Sequence, residues 1–133
     1  MLELGKKGYA EQVVTEDLLA NKVGSGLVAV YATPMMIAGI EGTAAASVAG
    51  SLEAGQTTVG CQMNVSHIAA TPAGMKVHFE TELTGISANG KMLTFRVSAY
   101  DEAGLIGEGE HQRAIVWKDR FEAKAQTKLN PSA

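Results

Sequence analysis

Thr33 opens a helix-forming stretch, Glu41 lies eight residues further along it, and His67 ends a strand-like segment on that segment's apolar face. A hydroxyl, a carboxylate and an imidazole are the groups that acyl transfer to water requires. One can attack or hold water, one can move a proton, and one can orient the base. Eight helical residues leave Glu41 about 80° around the helix from Thr33 and about 12 Å further along it, so another element must carry His67 between them. The unpaired N–H groups of a helix start would add partial positive charge able to polarise a carbonyl. Each residue also has a purely structural reading. Thr33 before Pro34 is a helix cap, Glu41 is a solvent-facing helical residue, and His67 is a hydrogen-bonded core histidine.

The other ionisable side chains are less pointed. His78 falls on the charged face of its segment and reads as solvated surface. His111 and Arg113 share one strand face two residues apart, either as a surface pair or as part of a ligand channel or dimer contact. Cys61 falls on an apolar face and reads as a small packed hydrophobe. Nothing matches a phosphate loop, a dinucleotide fingerprint or a metal-ligand spacing, so no metal and no cofactor are expected.

The elements that must position these groups follow from periodicity. Lys7 to Thr15 reads as a strand, Glu16 to Val23 as a short helical turn, and Gly24-Ser25-Gly26 as a break before the apolar run Leu27 to Ala32. Thr33-Pro34 marks a helix start, with threonine as N-cap and proline at the first helical position. Met36, Ile40, Ala44, Ser47 and Val48 recur at helical spacing as far as the stop at Gly50. Gly39 and Gly42 within this helix imply close approach by other backbone, because each lowers helix stability by about 1 kcal/mol relative to alanine. From Thr57 to His67 the odd positions form one face. Val77 to Leu83 and Leu93 to Ala99 alternate likewise, joined through an Asn89-Gly90 hairpin in which both residues tolerate positive φ. Asp101 to Gly104 turns into a strand from Leu105 to Trp117 whose alternation slips at His111 to Ala114, as a bulge would cause. Phe121 to Lys128 reads as a C-terminal helix and Asn130 to Ala133 as a frayed tail. One helix packed on antiparallel strands is an α+β layer arrangement.

With 133 residues and 46% hydrophobic composition, the chain is expected to form one domain, residues 1–133, around one core. A net charge of −3 argues against nucleic acid as a partner. No uninterrupted apolar stretch could span a bilayer and no signal segment is evident, so no membrane is expected. A lone cysteine fits a reducing, cytoplasmic setting.

The run Val65-Ser66-His67-Ile68-Ala69-Ala70-Thr71-Pro72-Ala73-Gly74-Met75-Lys76-Val77 resembles the histidine-bearing strand and turn of the fluoroacetyl-CoA thioesterase family. Arg96 to Asp101, Gly107 to Ile115, Phe121 to Lys124, and Val30 to Thr33 followed by Glu41 are similar to other segments of that family. The resemblance implies a hot-dog fold, a long central helix wrapped by an antiparallel sheet of about five to six strands. It further implies a homodimer paired edge to edge, active sites at its interface, and hydrolysis of an acyl-CoA thioester. By that analogy His67 is general base or acid, Glu41 orients it or takes part in acyl transfer, and Thr33 is nucleophile or positions water. His111 and Arg113 would contact substrate, and Arg113, Lys118, Arg120 and Lys124 could meet the coenzyme A phosphates. The family's phenylalanine-bearing lid has no counterpart in Leu18 to Gly26, which points to a short- or medium-chain acyl-CoA. The rival readings are a hot-dog hydratase-dehydratase acting on enoyl or hydroxyacyl thioesters and a non-catalytic acyl-CoA-binding module.

Overall fold

The centre of the fold is the helix that begins at Thr33-Pro34. In the computed structural model, which describes residues 1–130, it runs Thr33–Ala49 (α2), and its buried residues are Met36, Ile40, Thr43, Ala44 and Val48. Ser47, expected on that face, is half-buried and turns its hydroxyl back to the Ala44 carbonyl at 2.7 Å. The N-cap is Ala32, with Thr33 and Pro34 inside the first turn, and no side chain caps the helix. The cap expected of Thr33 is therefore absent, and its hydroxyl is free for another partner.

Around α2 wraps one antiparallel sheet in the order β1-β3-β4-β5-β2, built from β1 (Lys7–Val13), β2 (Gln56–His67), β3 (Lys76–Ile86), β4 (Met92–Asp101) and β5 (Gly104–Trp117). A 3-10 turn (Glu16–Leu18) and the short α1 (Ala20–Val23) precede α2, and α3 (Lys118–Gln126) follows β5. The apolar run Leu27 to Ala32 is not a strand. Leu27 and Val28 are exposed, and Tyr31 makes an isolated bridge to Leu19. The tail expected past Asn130 lies outside the described residues.

Strand alternation is borne out where it was sharpest. Val77, Phe79, Thr81 and Leu83 of β3 and Leu93, Phe95, Val97 and Ala99 of β4 are buried beneath α2, and most of them join Met36, Ile40 and Val48 in one core cluster. The opposite face is charged and aromatic. Arg96 bonds Glu82 at 2.7 Å, and His78 lies between Tyr9 and Tyr100 with ring centroids 5.3 and 4.8 Å away. In the β3-β4 hairpin only Gly90 has positive φ. Asn89 serves instead through its side-chain oxygen, which accepts from the Ser87 hydroxyl at 2.6 Å and the Lys91 N–H at 3.0 Å.

Only one of the two helical glycines answers a close approach. A Cβ on Gly39 would stand 2.2 Å from the Phe79 ring, whereas one on Gly42 would meet nothing within 4 Å. Gly42→Ala is expected to stabilise the protein by about 1 kcal/mol through helix propensity. Gly39→Ala should destabilise it by about 1–2 kcal/mol, since overpacking a buried ring outweighs the same propensity gain. Paired thermal unfolding curves check both signs.

Candidate active site

Thr33 and His67 come together. The Thr33 hydroxyl lies 2.7 Å from His67 Nδ1, where α2 begins and β2 ends. Two local features build this contact. Without a capping bond, the Thr33 hydroxyl points away from the helix, and Ile68 N–H bonded to the Ile106 carbonyl at 2.7 Å continues the β2-β5 pairing and fixes the strand end that carries His67. The pair sits in an open cleft of about 280 Å³ bordered by Ala20, Val30, Ile68, Ala69 and Ala70. Burial lowers the His67 pKa from its ordinary value, partly offset by the Ala69 backbone, so the imidazole is held neutral and able to accept a proton. His67 Nε2 is sealed from solvent with no hydrogen-bond partner.

The helix start offers fewer donors than expected. Ala32 N–H goes to the Leu18 carbonyl, Met35 and Met36 N–H go to the Ala32 carbonyl, and Pro34 has none. Thr33 N–H is then the donor in that turn not committed to a backbone carbonyl among the described residues. An oxyanion stabilised here would lean on this group and on the helix dipole.

Glu41 does not join the pair within the chain. Its carboxylate lies 3.5 Å from Arg113 Nη1, beneath Gly60 of β2, where a Cβ would approach Glu41 Oε2 to 2.4 Å. His111 and Arg113 correct the surface-pair expectation, because they are only 1% and 7% exposed. Arg113 donates from Nε to the Thr58 hydroxyl at 2.8 Å and from Nη2 to the Thr58 carbonyl at 2.9 Å. Burial lowers its pKa and nearby Glu41 raises it. Such a guanidinium can anchor a carboxylate but has no free face for a coenzyme A phosphate.

The reason lies in β2. Residue pairing with β5 shifts between Gly60 and Gln62, so Cys61 is the extra residue of a bulge and the inward parity switches there. Thr58 points inward at 7% exposure, Met63, Val65 and His67 are half-buried, and Cys61 is exposed rather than packed. The slip read at His111 to Ala114 was real, but the inserted residue is on the facing strand. Among the described residues no helix is long and apolar enough to cross a membrane.

Known proteins share this sequence pattern and this architecture. Residues 14–119 match the family described as Fluoroacetyl-CoA-specific thioesterase. The fluoroacetyl-CoA thioesterase of Streptantibioticus cattleyicolor is 38% identical over 99 residues, covering 74% of this chain and 70% of that protein. A solved structure of the fluoroacetyl-CoA thioesterase FlK superposes with a TM-score of 0.90 at 30% identity, covering 96% of this chain and 98% of that one. A thioesterase superfamily member from Thermus thermophilus superposes at 0.88 with 28% identity over 98% and 96% of the two chains. With the long helix, the five-stranded antiparallel wrap and most of the chain matched, this protein belongs to the fluoroacetyl-CoA-specific thioesterase family and has the hot-dog fold.

Proposed function

We propose that this chain hydrolyses short- or medium-chain acyl-CoA thioesters to the free acid and coenzyme A, with Thr33, His67 and Glu41 as its catalytic groups. The observation that carries the reading is the Thr33 hydroxyl held 2.7 Å from His67 Nδ1 in an open cleft. His67 accepts a proton at Nδ1 as oxygen attacks the thioester carbonyl, the C–S bond breaks, and the thiolate leaves with a proton returned from the imidazole. If Thr33 Oγ1 attacks, an acyl-threonine forms and a water completes hydrolysis; if Thr33 holds the water, acid is released in one step. A burst of free thiol ahead of steady turnover marks the first route. No cofactor is needed, since the thioester is itself the substrate.

The same reading makes the active unit a homodimer. β2 is an edge of the sheet, twelve residues long, with no Lys, Arg, Asp, Glu or Pro to guard it, and such an edge is a template for pairing. Two β2 strands paired antiparallel about a two-fold at Asn64 would set His67 opposite the partner subunit's Cys61, the bulge residue beside Gly60. The partner's Glu41, which lies under Gly60, would then approach the His67–Thr33 pair. The basic side chains of α3, Lys118, Arg120 and Lys124, would flank the partner's cleft and suit coenzyme A phosphates. An exposed lone thiol at Cys61 suits a reducing, cytoplasmic setting.

The test is a thiol-release assay over acyl-CoAs of increasing chain length. Turnover should peak among short to medium chains, because the cleft is small, about 280 Å³, and bounded by Tyr31 beside Ala20, Val30, Ile68, Ala69 and Ala70. Tight binding without thiol release, or double-bond hydration without it, would sink the hydrolase reading.

A further inference from the structure

His111 has a defined protonation state, imposed by what surrounds it. Its Nδ1 lies 2.7 Å from the Gln62 carbonyl oxygen, which can only accept, so Nδ1 carries the hydrogen. Its Nε2 lies 3.1 Å from Arg113 Nη1, which can only donate, so Nε2 presents a lone pair. Both ring nitrogens are thereby satisfied in the neutral form. A proton added at Nε2 would set donor against donor and positive charge against positive charge inside a buried cluster.

The guanidinium transmits this state. Thr58 takes the Nε hydrogen and one Nη2 hydrogen at 2.8 and 2.9 Å, which leaves the second Nη2 hydrogen and the two of Nη1, the nitrogen nearest His111 and Glu41. With one Nη1 hydrogen accepted by His111, planarity directs the other towards Glu41 Oε2 at 3.5 Å. Gly60 makes room, since a Cβ there would come within 2.4 Å of Glu41 Oε2, 3.3 Å of His111 Cε1 and 3.4 Å of Arg113 Nη1. Phe95 of β4 flanks the imidazole with ring centroids 6.3 Å apart. The ionisable groups facing the cluster are Glu41 from α2, Cys61 from β2 and Arg113 from β5 itself.

We propose that His111 is a positioning residue, a neutral Nδ1–H imidazole whose Nε2 lone pair holds Arg113 so that the Glu41 carboxylate stays fixed beneath Gly60. This deepens the proposed function and rests on Glu41 serving hydrolysis. It adds a second imidazole, distinct from His67, whose protonation turns activity down. Burial and the neighbouring guanidinium both lower the His111 pKa, against the Gln62 carbonyl and Glu41, so this loss falls on the acid side of the ordinary histidine range.

The direct test is ¹⁵N NMR of the full chain labelled at histidine and arginine, whose three imidazoles, His67, His78 and His111, are assigned with single His→Gln variants and whose Arg113 signal is assigned with Arg113→Lys. His111 should show a protonated Nδ1 and a bare Nε2 at neutral pH, and the Arg113 Nε–H signal should be lost as His111 takes up a proton. In the thiol-release assay His111→Leu should lower kcat by about 10- to 100-fold with little change in KM, because a buried charged donor loses its acceptor. His111→Gln, which keeps a carbonyl acceptor, should recover to within about threefold of wild type. An Nε2–H tautomer, an Arg113 signal indifferent to His111 protonation, or a folded His111→Leu with wild-type kcat would overturn the proposal. Should wild-type protein release no thiol, the hydrolase reading fails, while the two resonance tests still decide the His111–Arg113 contact without substrate.

Discussion

His67→Ala is expected to lower kcat/KM for thiol release from acyl-CoA by about 10²- to 10⁴-fold, the usual contribution of a positioned base. Thr33→Ala should fall in the same range, because the variant removes the hydroxyl hydrogen-bonded to His67 Nδ1. The two losses should not add. A hydroxyl and an imidazole that act as one proton-transfer unit are each useless without the other, so the double variant should be no slower than the worse single one. Thr33→Ser, which restores the hydroxyl, should recover most of the activity. The pH profile gives an independent reading. Burial holds the His67 pKa below its ordinary value, so the decline of kcat/KM with falling pH should be displaced to the acid side of an ordinary histidine titration. Stability follows the same linkage. The unfolded chain takes up a proton near the ordinary value of 6.5 and the folded protein resists it, so stability declines as pH drops below that value and levels off past the folded pKa. A His67→Ala protein with wild-type turnover would remove the central assignment.

The parts of this arrangement differ in how far the residue string alone reveals them, and the differences have physical causes. The α2 start at Thr33-Pro34 and the inward faces of β3 and β4 were legible, because proline geometry and a period of two are properties of adjacent residues. That Thr33 leaves its helix uncapped was not, since a cap and a free hydroxyl share one sequence signature and only the approach of His67 distinguishes them. Cys61 and Thr58 were assigned to the wrong faces for a different reason. A bulge is a mismatch between two strands, and the slip at His111 to Ala114 showed that one existed without showing that β2 carries the extra residue. The burial of Arg113 follows from that same mismatch, which turns Thr58 and Gly60 inward to receive it. Glu41 is the clearest case. Its helical position was readable at once, but its partner is a guanidinium more than seventy residues away, and no local rule connects them.

Mixing inactive variants is expected to restore activity. Glu41→Ala and His67→Ala proteins, each nearly inert alone, should regain about a quarter of wild-type turnover per chain when subunits are exchanged, assuming random pairing of a two-fold dimer. The figure follows from where the groups sit. Within one chain Glu41 is held under Gly60 by Arg113, and His67 is at the far end of β2 with Nε2 unsatisfied. If an active site combines Thr33 and His67 of one subunit with the partner's Glu41, a mixed dimer contains one site with all three groups and one lacking two. Random exchange makes about half the dimers mixed, each with half the sites working. If each site instead used its own Glu41, both sites of the mixed dimer would be broken and mixing would restore nothing. Exchange can be driven by mild denaturant and followed by mass, so failure to exchange is distinguished from failure to complement. Arg113→Met, which leaves Glu41 without its anchor, should behave in the same mixture as a weaker copy of Glu41→Ala, rescued by His67→Ala and not by Glu41→Ala.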